Sequence, residues 1–296
     1  MSGDNPMALI RTSDPIFFAG STYADAEYVV FGVPYDTTAT FGKGTRYGPK
    51  GIRELGCMTN FEHYMFDYRI SLLDIPTYDA GDLDVSHLSP DEMVREVHAY
   101  SKKLVADGKF PVMLGGEHSV SPGLATAFDD IAVLGIDAHA DFRNEYQGER
   151  NNHGCAMRRI VDKFGEDRVM WVGVRSFAQE EHESSAKFLD SFTILEKGID
   201  WTISEIRKRL PYDRIYLTLD IDGIDPAFAP GTGTPEPYGL EPVHVKKIID
   251  ALAPQLVGFD VVEVAPPLES RITPVLAARF VTDVVASTYV SKKSMR

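Results

Sequence analysis

Cysteine is nearly absent: Cys57 and Cys155 are the two in a chain of 296 residues, far apart and in no C-x-x-C pair. That excludes a disulfide framework and a thiolate zinc site, and fits a reducing compartment. Long apolar runs are missing too. No segment approaches the roughly 18 residues that span a bilayer, and Met1 to Asp14 lacks a basic stretch followed by an apolar one. The expectation is a cytoplasmic protein with no membrane partner. Positive charge is scarce, with 30 Lys and Arg against 44 Asp and Glu, a formal net charge of -14. A surface of that sign repels phosphate backbones, so no nucleic-acid partner is expected, and a small cationic ligand is mildly favoured. Repeats, low-complexity tracts and linker-like shifts in composition are also lacking. Residues 1–296 therefore read as one domain with its core at about 28–290.

What is present is an alternation. Short apolar, often β-branched runs recur at Tyr28 to Gly32, Leu72 to Ile75, Pro111 to Leu114, Ile131 to Ile136, Val169 to Val174, Phe192 to Leu195, Ile215 to Leu219 and Leu256 to Val262. Helix-like stretches separate most of them. Strands apolar on both faces are what a parallel sheet covered by helices on each side requires, which predicts about eight strands in an α/β sandwich. The clearest helix runs from Pro90 to Asp107. Ser89 caps it, Pro90 takes its first position, Glu92 completes a capping box and Gly108 ends it. His98 lies beside its apolar stripe and reads as a core-edge residue without chemistry.

The chemistry-bearing residues cluster where apolar runs stop. Val112 to Leu114 runs into Gly115-Gly116-Glu117-His118, Ile131 to Ile136 into Asp137-Ala138-His139-Ala140-Asp141, Tyr216 to Leu219 into Asp220-Ile221-Asp222, and Val261-Val262 into Glu263. The carboxyl ends of parallel strands line the crevice where ligands bind, so segments distant in sequence converge there. In extended backbone, positions i, i+2 and i+4 share a side, which groups Asp137, His139 and Asp141, and Asp220 with Asp222. His118 makes a sixth ligand. Four clustered carboxylates repel one another unless cations neutralise them, and two divalent ions balance four aspartates. A donor set of two imidazoles and four carboxylates with no thiolate favours Mn²⁺ over Zn²⁺, and over Mg²⁺ because of the histidines.

Gly115-Gly116-Glu117-His118-Ser119, Asp137-Ala138-His139-Ala140-Asp141 and Asp220-Ile221-Asp222-Gly223-Ile224-Asp225-Pro226 resemble, in order, the three signature segments of the arginase and agmatinase (ureohydrolase) family. Ala229 to Pro237 resembles it as well, and the match spans about residues 30 to 285. The resemblance implies a three-layer α/β/α sandwich around an eight-stranded, mainly parallel sheet, two Mn²⁺ per subunit, and a homo-oligomer, a trimer or hexamer. It implies His118, Asp137, His139, Asp141, Asp220 and Asp222 as the metal ligands, with Asp141 also orienting the attacking hydroxide. On the same resemblance His153, in Asn151-Asn152-His153-Gly154, carries a proton to the leaving amine; Glu263, in Val261 to Pro267, is expected to accept hydrogen bonds from a guanidinium because a carboxylate suits that planar fork. The implied reaction is metal-dependent hydrolysis of a guanidino compound, a poor electrophile that needs a true hydroxide at neutral pH.

Agmatine, giving putrescine and urea, is the expected substrate. Where arginases place the residues that read the α-carboxylate and α-ammonium of arginine, this chain has Arg143, Arg150-Asn151-Asn152 and Phe177-Ala178. Arg143 could itself bind a carboxylate, which would favour arginine or guanidinobutyrate, and Tyr238 stands where many members have Gly. The alternatives are thus another ureohydrolase (arginase, guanidinobutyrase or aminopropylagmatine ureohydrolase), or a single-zinc polyamine or acetyl-lysine deacetylase of related fold, distinguished by metal count. An inactive regulatory subunit is disfavoured by the intact ligand set. Gly42 to Gly48 follows a strand, but its glycine spacing does not fit a dinucleotide loop.

Overall fold

The computed structural model describes residues 9–57, 62–184, 186–269 and 271–294, of which 55–57 are described in backbone only. Its centre is a sheet of nine strands: β1 (Leu9–Ile10), β2 (Tyr28–Gly32), β3 (Thr77–Leu83), β4 (Phe110–Leu114), β5 (Ala132–Ile136), β6 (Val169–Val174), β7 (Lys187–Asp190), β8 (Ile215–Asp220) and β9 (Leu256–Val262). Across the sheet they run β1-β3-β2-β4-β9-β8-β5-β6-β7. Eight are parallel, and two-residue β1 adds an antiparallel edge against β3.

Alternate residues of each central strand enter opposite cores, as a period of two demands. Val30, Leu114, Leu134, Leu217 and Phe259 pack into one core with Ile206, Ile248 and Val281. Val29, Met113, Val133 and Tyr216 pack into the other with Met93, Val97, Leu104 and Ile160. The flanking helices are α1 (Pro90–Ala106), α2 (Ala156–Phe164), α3 (Ile199–Arg209), α4 (Pro242–Leu252) and α5 (Ile272–Ser294). Helix α1 carries the expected capping box, with Glu92 N donating to Ser89 Oγ and the Glu92 carboxylate accepting from Ser89 N. His98 sits at its edge against Thr126, as expected. Among the described residues no helix is long and apolar enough to cross a membrane. Cys155 is buried and free, and the side chain of Cys57 lies outside the described residues.

Two expected strands are elsewhere. Leu72–Asp74 forms a 3₁₀ turn, and the strand is the following Thr77–Leu83. Its polar sequence hid it: Asp79 and Asp82 are buried because Arg53, 2% exposed, donates to both. Phe192–Leu195 lies in a short helix, Ser191–Lys197, capped by Asp190 accepting from Thr193 N, and the edge strand is Lys187–Asp190 just before it.

Asp283 on α5 is almost fully buried, and burial, opposed by Arg279 and Lys246, pushes its carboxyl up to about 6. A carboxyl raised in the folded state favours folding below its unfolded pKa of about 3.9, and that contribution fades as pH rises through the folded value. Between pH 4 and pH 7 the wild type should lose about 2 kcal/mol relative to Asp283→Asn, most of what a pKa gap of about two units is worth at about 1.4 kcal/mol each. Denaturant melts of both proteins at several pH values check this, and parallel stability curves would contradict it.

Candidate active site

The four strands that run into acids and histidines, β4, β9, β8 and β5, are consecutive neighbours in the sheet. Their carboxyl ends therefore form one continuous edge. At the end of β4 the chain passes close to other backbone: a Cβ on Gly116 would lie 1.9 Å from Tyr35 O, and one on Gly115 would lie 2.5 Å from Val262 Cγ1. The glycine pair thus lets the chain turn tightly enough to present Glu117 and His118. Gly116 O in turn accepts from Glu263 N (2.8 Å), and Glu263 Oε1 accepts from His118 N (2.8 Å), tying the ends of β4 and β9 together.

Two clusters result. His118, Asp137, Asp141 and Asp220 form one, and Asp137, His139 and Asp222 form the other; within each, one ligand atom per residue lies within 4.8 Å of the others. Asp137 belongs to both. His118 Nδ1 is 3.1 Å from Asp137 Oδ2, 2.9 Å from Asp141 Oδ2 and 3.4 Å from Asp220 Oδ2, while His139 Nδ1 is 3.0 Å from Asp222 Oδ2. Simple strand alternation does not produce this grouping. β5 stops at Ile136, Asp141 has a left-handed backbone (φ 48), and Asp222 lies in a turn closed by its own N–H donating to Asp220 Oδ1. The turns send neighbours of one motif into different clusters.

Several neighbouring groups orient these side chains. His118 Nε2 donates to Thr218 Oγ1 (3.1 Å), whose hydroxyl donates to Asp260 Oδ1 (2.7 Å), a carboxylate also bound by Tyr216. That chain fixes the tautomer and leaves the Nδ1 lone pair facing the aspartates. His118 Nδ1 and Asp137 Oδ2 are both buried without a hydrogen-bond partner. Two facing acceptors left unpaired inside a protein call for a cation between them. The hard, thiolate-free donor set fits divalent metal ions.

Working against burial, the surrounding aspartates hold the imidazoles of His118 and His139 above their usual range, and a cation among them is what would let both rings stay neutral. Burial, with Asp222 and Asp137 beside it, raises Asp220 well above the usual carboxylate range, and burial together with Asp137 lifts Asp141 to about 7. Burial, with Glu117 nearby, also raises Glu263. Asp222 is held low despite burial because His139 and the Ala138 N–H stabilise its charge.

Above the clusters lies a cavity of about 300 Å³, lined among others by Thr40, Arg143, Tyr146, His153, Glu181 and Glu263. His153 is placed there by Thr38, whose Oγ1 accepts from His153 N (3.0 Å). Burial, reinforced by His139 and His118, pushes its imidazole down to about 4, so it is neutral at pH 7. Glu263, like Asp141, has a left-handed backbone (φ 61). Arg143 lies over the Tyr146 ring, 4.4 Å from its centroid, with Nε 4.0 Å from Glu181 Oε2. Phe177 and Ala178 line the cavity as well, whereas Tyr238 is outside it, exposed and packed on Phe192. Arg175 is a clamp: it donates to the carbonyls of Asp222, Gly223, Glu236 and Pro237 and fixes the loop that carries Thr234 onto Asp222. The loop of Gly42 to Gly48 serves the same wall, with Gly42 N donating to Gly233 O and Gly44 N to Asp36.

Sequence reasoning passed over Thr38, Thr40, Thr218, Asp260, Arg175 and Glu181. Thr218 and Asp260 looked like ordinary strand positions, and Thr38 and Thr40 lie in Asp36-Thr37-Thr38-Ala39-Thr40, which carries no motif.

Comparison with known proteins matches residues 26–286 to the Arginase family model. An agmatinase of Halalkalibacterium halodurans is 35% identical over 277 residues, 90% of this chain and 93% of that protein. The N(1)-aminopropylagmatine ureohydrolase of a Synechocystis species is 34% identical, covering 86% and 88%. The crystal structure of the agmatine ureohydrolase of Thermoplasma volcanium superposes with a TM-score of 0.91 at 37% identity, over 97% of this chain and 98% of that one. With a family model that matches residues 26–286 and an architecture shared over nearly the whole chain, this chain belongs to the arginase family.

Proposed function

We propose that this enzyme, a single ureohydrolase domain, hydrolyses agmatine to putrescine and urea, with His118, Asp137, His139, Asp141, Asp220 and Asp222 holding two Mn²⁺ ions. Bound there, the ions supply Lewis acidity and a nucleophile at neutral pH. Asp141 orients the attacking water. Glu263, with Oε1 already taken by His118 N, keeps Oε2 for a guanidinium N–H, and a carboxylate matches that planar fork. Neutral His153 takes up a proton and delivers it to the departing amine.

The observation that carries this reading is the acid-walled cavity above the two clusters. Glu263 and the two aspartate clusters give it a carboxylate lining that suits a cationic guanidino molecule, and the names of the relatives agree. A second reading rests on Arg143, which lines the same cavity and would pair with a carboxylate-ended guanidino acid such as guanidinobutyrate. The reading includes a homo-oligomer, trimer or hexamer, for which the apolar groove at Phe228, Pro242 and Ile272 offers contact area.

Urea release after Mn²⁺ loading, compared across agmatine, arginine, guanidinobutyrate and aminopropylagmatine, tests the assignment. The expected order puts kcat/KM for agmatine well above that for arginine. A value for arginine or guanidinobutyrate at or above that for agmatine would overturn the substrate and leave the enzyme class standing.

A further inference from the structure

Glu117 lies between the glycine pair and His118, and nothing in the reaction above uses it. It is fully buried yet has three donors: Thr38 N on Oε2 (2.9 Å), and Thr38 Oγ1 (2.6 Å) and Ser119 Oγ (2.7 Å) on Oε1. Burial raises this carboxyl, and the three donors work against that by occupying both of its oxygens as acceptors, so the Thr38 hydroxyl gives it its one proton. The two lone pairs of Thr38 Oγ1 then face His153. One accepts the backbone N–H (3.0 Å) and the other meets ring Nδ1 at 3.2 Å. A hydroxyl with its proton committed elsewhere can only accept, so Nδ1 must carry the hydrogen. The opposite nitrogen, Nε2, lies 3.4 Å from Thr40 Oγ1, which is free to donate to it.

We infer that Thr38, held by Glu117, is a positioning residue that locks His153 as the Nδ1–H tautomer and makes Nε2 the nitrogen that accepts and delivers the proton. The inference rests on the reading of His153 as proton carrier. It is specific because the imidazole of histidine in water prefers the opposite, Nε2–H form. The protein must hold the ring in its less favoured tautomer, and the Glu117–Thr38 pair is the device that does so.

The test has two independent arms. In ¹⁵N NMR of the full chain labelled in its histidine rings, metal-free and loaded with diamagnetic Mg²⁺, the His153 signals are assigned by their loss in His153→Asn. Wild type should show a protonated Nδ1 and an unprotonated Nε2. Thr38→Val, which keeps the shape and removes the hydroxyl, should move the ring toward Nε2–H, and Thr38→Ser should restore the wild-type pattern. A predominant Nε2–H form in wild type overturns the inference, even if Thr38→Val fails to fold.

In the Mn²⁺-loaded enzyme, Thr38→Val should lower kcat by about 10- to 100-fold with KM and metal content little changed, as loss of an orienting partner does, and Thr38→Ser should recover most of it. In a His153→Asn background the same substitution should cost nothing further. An equal loss in that background would show that Thr38 acts on the fold alone. If His153→Asn itself keeps wild-type turnover, the proton-carrier reading fails, and the NMR arm still decides the tautomer.

Discussion

Asp137→Asn is expected to fold, to hold fewer than two metal ions per subunit and to lose at least about 10³ in turnover. Asp137 is the residue common to both clusters, with Oδ2 3.1 Å from His118 Nδ1 and Oδ1 accepting from His139 N at 2.6 Å. An amide has one acceptor oxygen where the carboxylate has two. Either its NH₂ meets the His139 N–H, donor against donor, or it fills the lone pair of His118 that should face an ion. One unit of negative charge is lost from the centre of the site as well. A loss of about 4 kcal/mol of transition-state stabilisation corresponds to about 10³ in rate, within the several kcal/mol that a metal centre contributes. Elemental analysis beside urea release measures both quantities. Two ions per subunit with turnover within tenfold of wild type would remove Asp137 from the ligand set.

His153→Asn should separate chemistry from metal binding. Asparagine keeps a polar group near Thr38 and loses the ring nitrogen that, on the proposed mechanism, takes up and returns a proton. His153 is outside both ligand clusters, so metal content should stay at the wild-type level while kcat falls by about 10² to 10⁴, the range general acid–base groups supply. Unchanged kcat would assign the proton to another group or to water.

The central strands were legible because they are apolar on both faces, and helix α1 because its cap and first turn carry local signals. The two misplaced strands show the limit. Thr77–Leu83 is half polar, and it is a strand because a distant arginine, Arg53, pairs with Asp79 and Asp82 inside the protein. Ser191–Lys197 holds an apolar run that reads as a strand until Asp190 is seen to cap it. At the site, strand-end acids and histidines pointed to a shared edge, because parallel topology puts every strand's carboxyl end on one side. The division of six residues between two clusters was not legible, since it depends on turns at Asp141 and Asp222. Neither was Thr38, which acts through contacts made 115 residues away.

Asp141 and Glu263 each sit with a left-handed backbone, at φ 48 and φ 61, which glycine adopts freely, aspartate tolerates and glutamate rarely takes. Such a conformation costs on the order of 1–3 kcal/mol per residue, least for the aspartate, and glycine would relieve most of it. Both positions line the cavity, and the proposed reaction gives each of them a task that only a carboxylate performs. Selection for endurance on heating and selection for turnover therefore pull these two positions in opposite directions. A hardier descendant of this enzyme has to gain its margin away from the strand ends, in loops and caps, and leave the two contorted acids as they are.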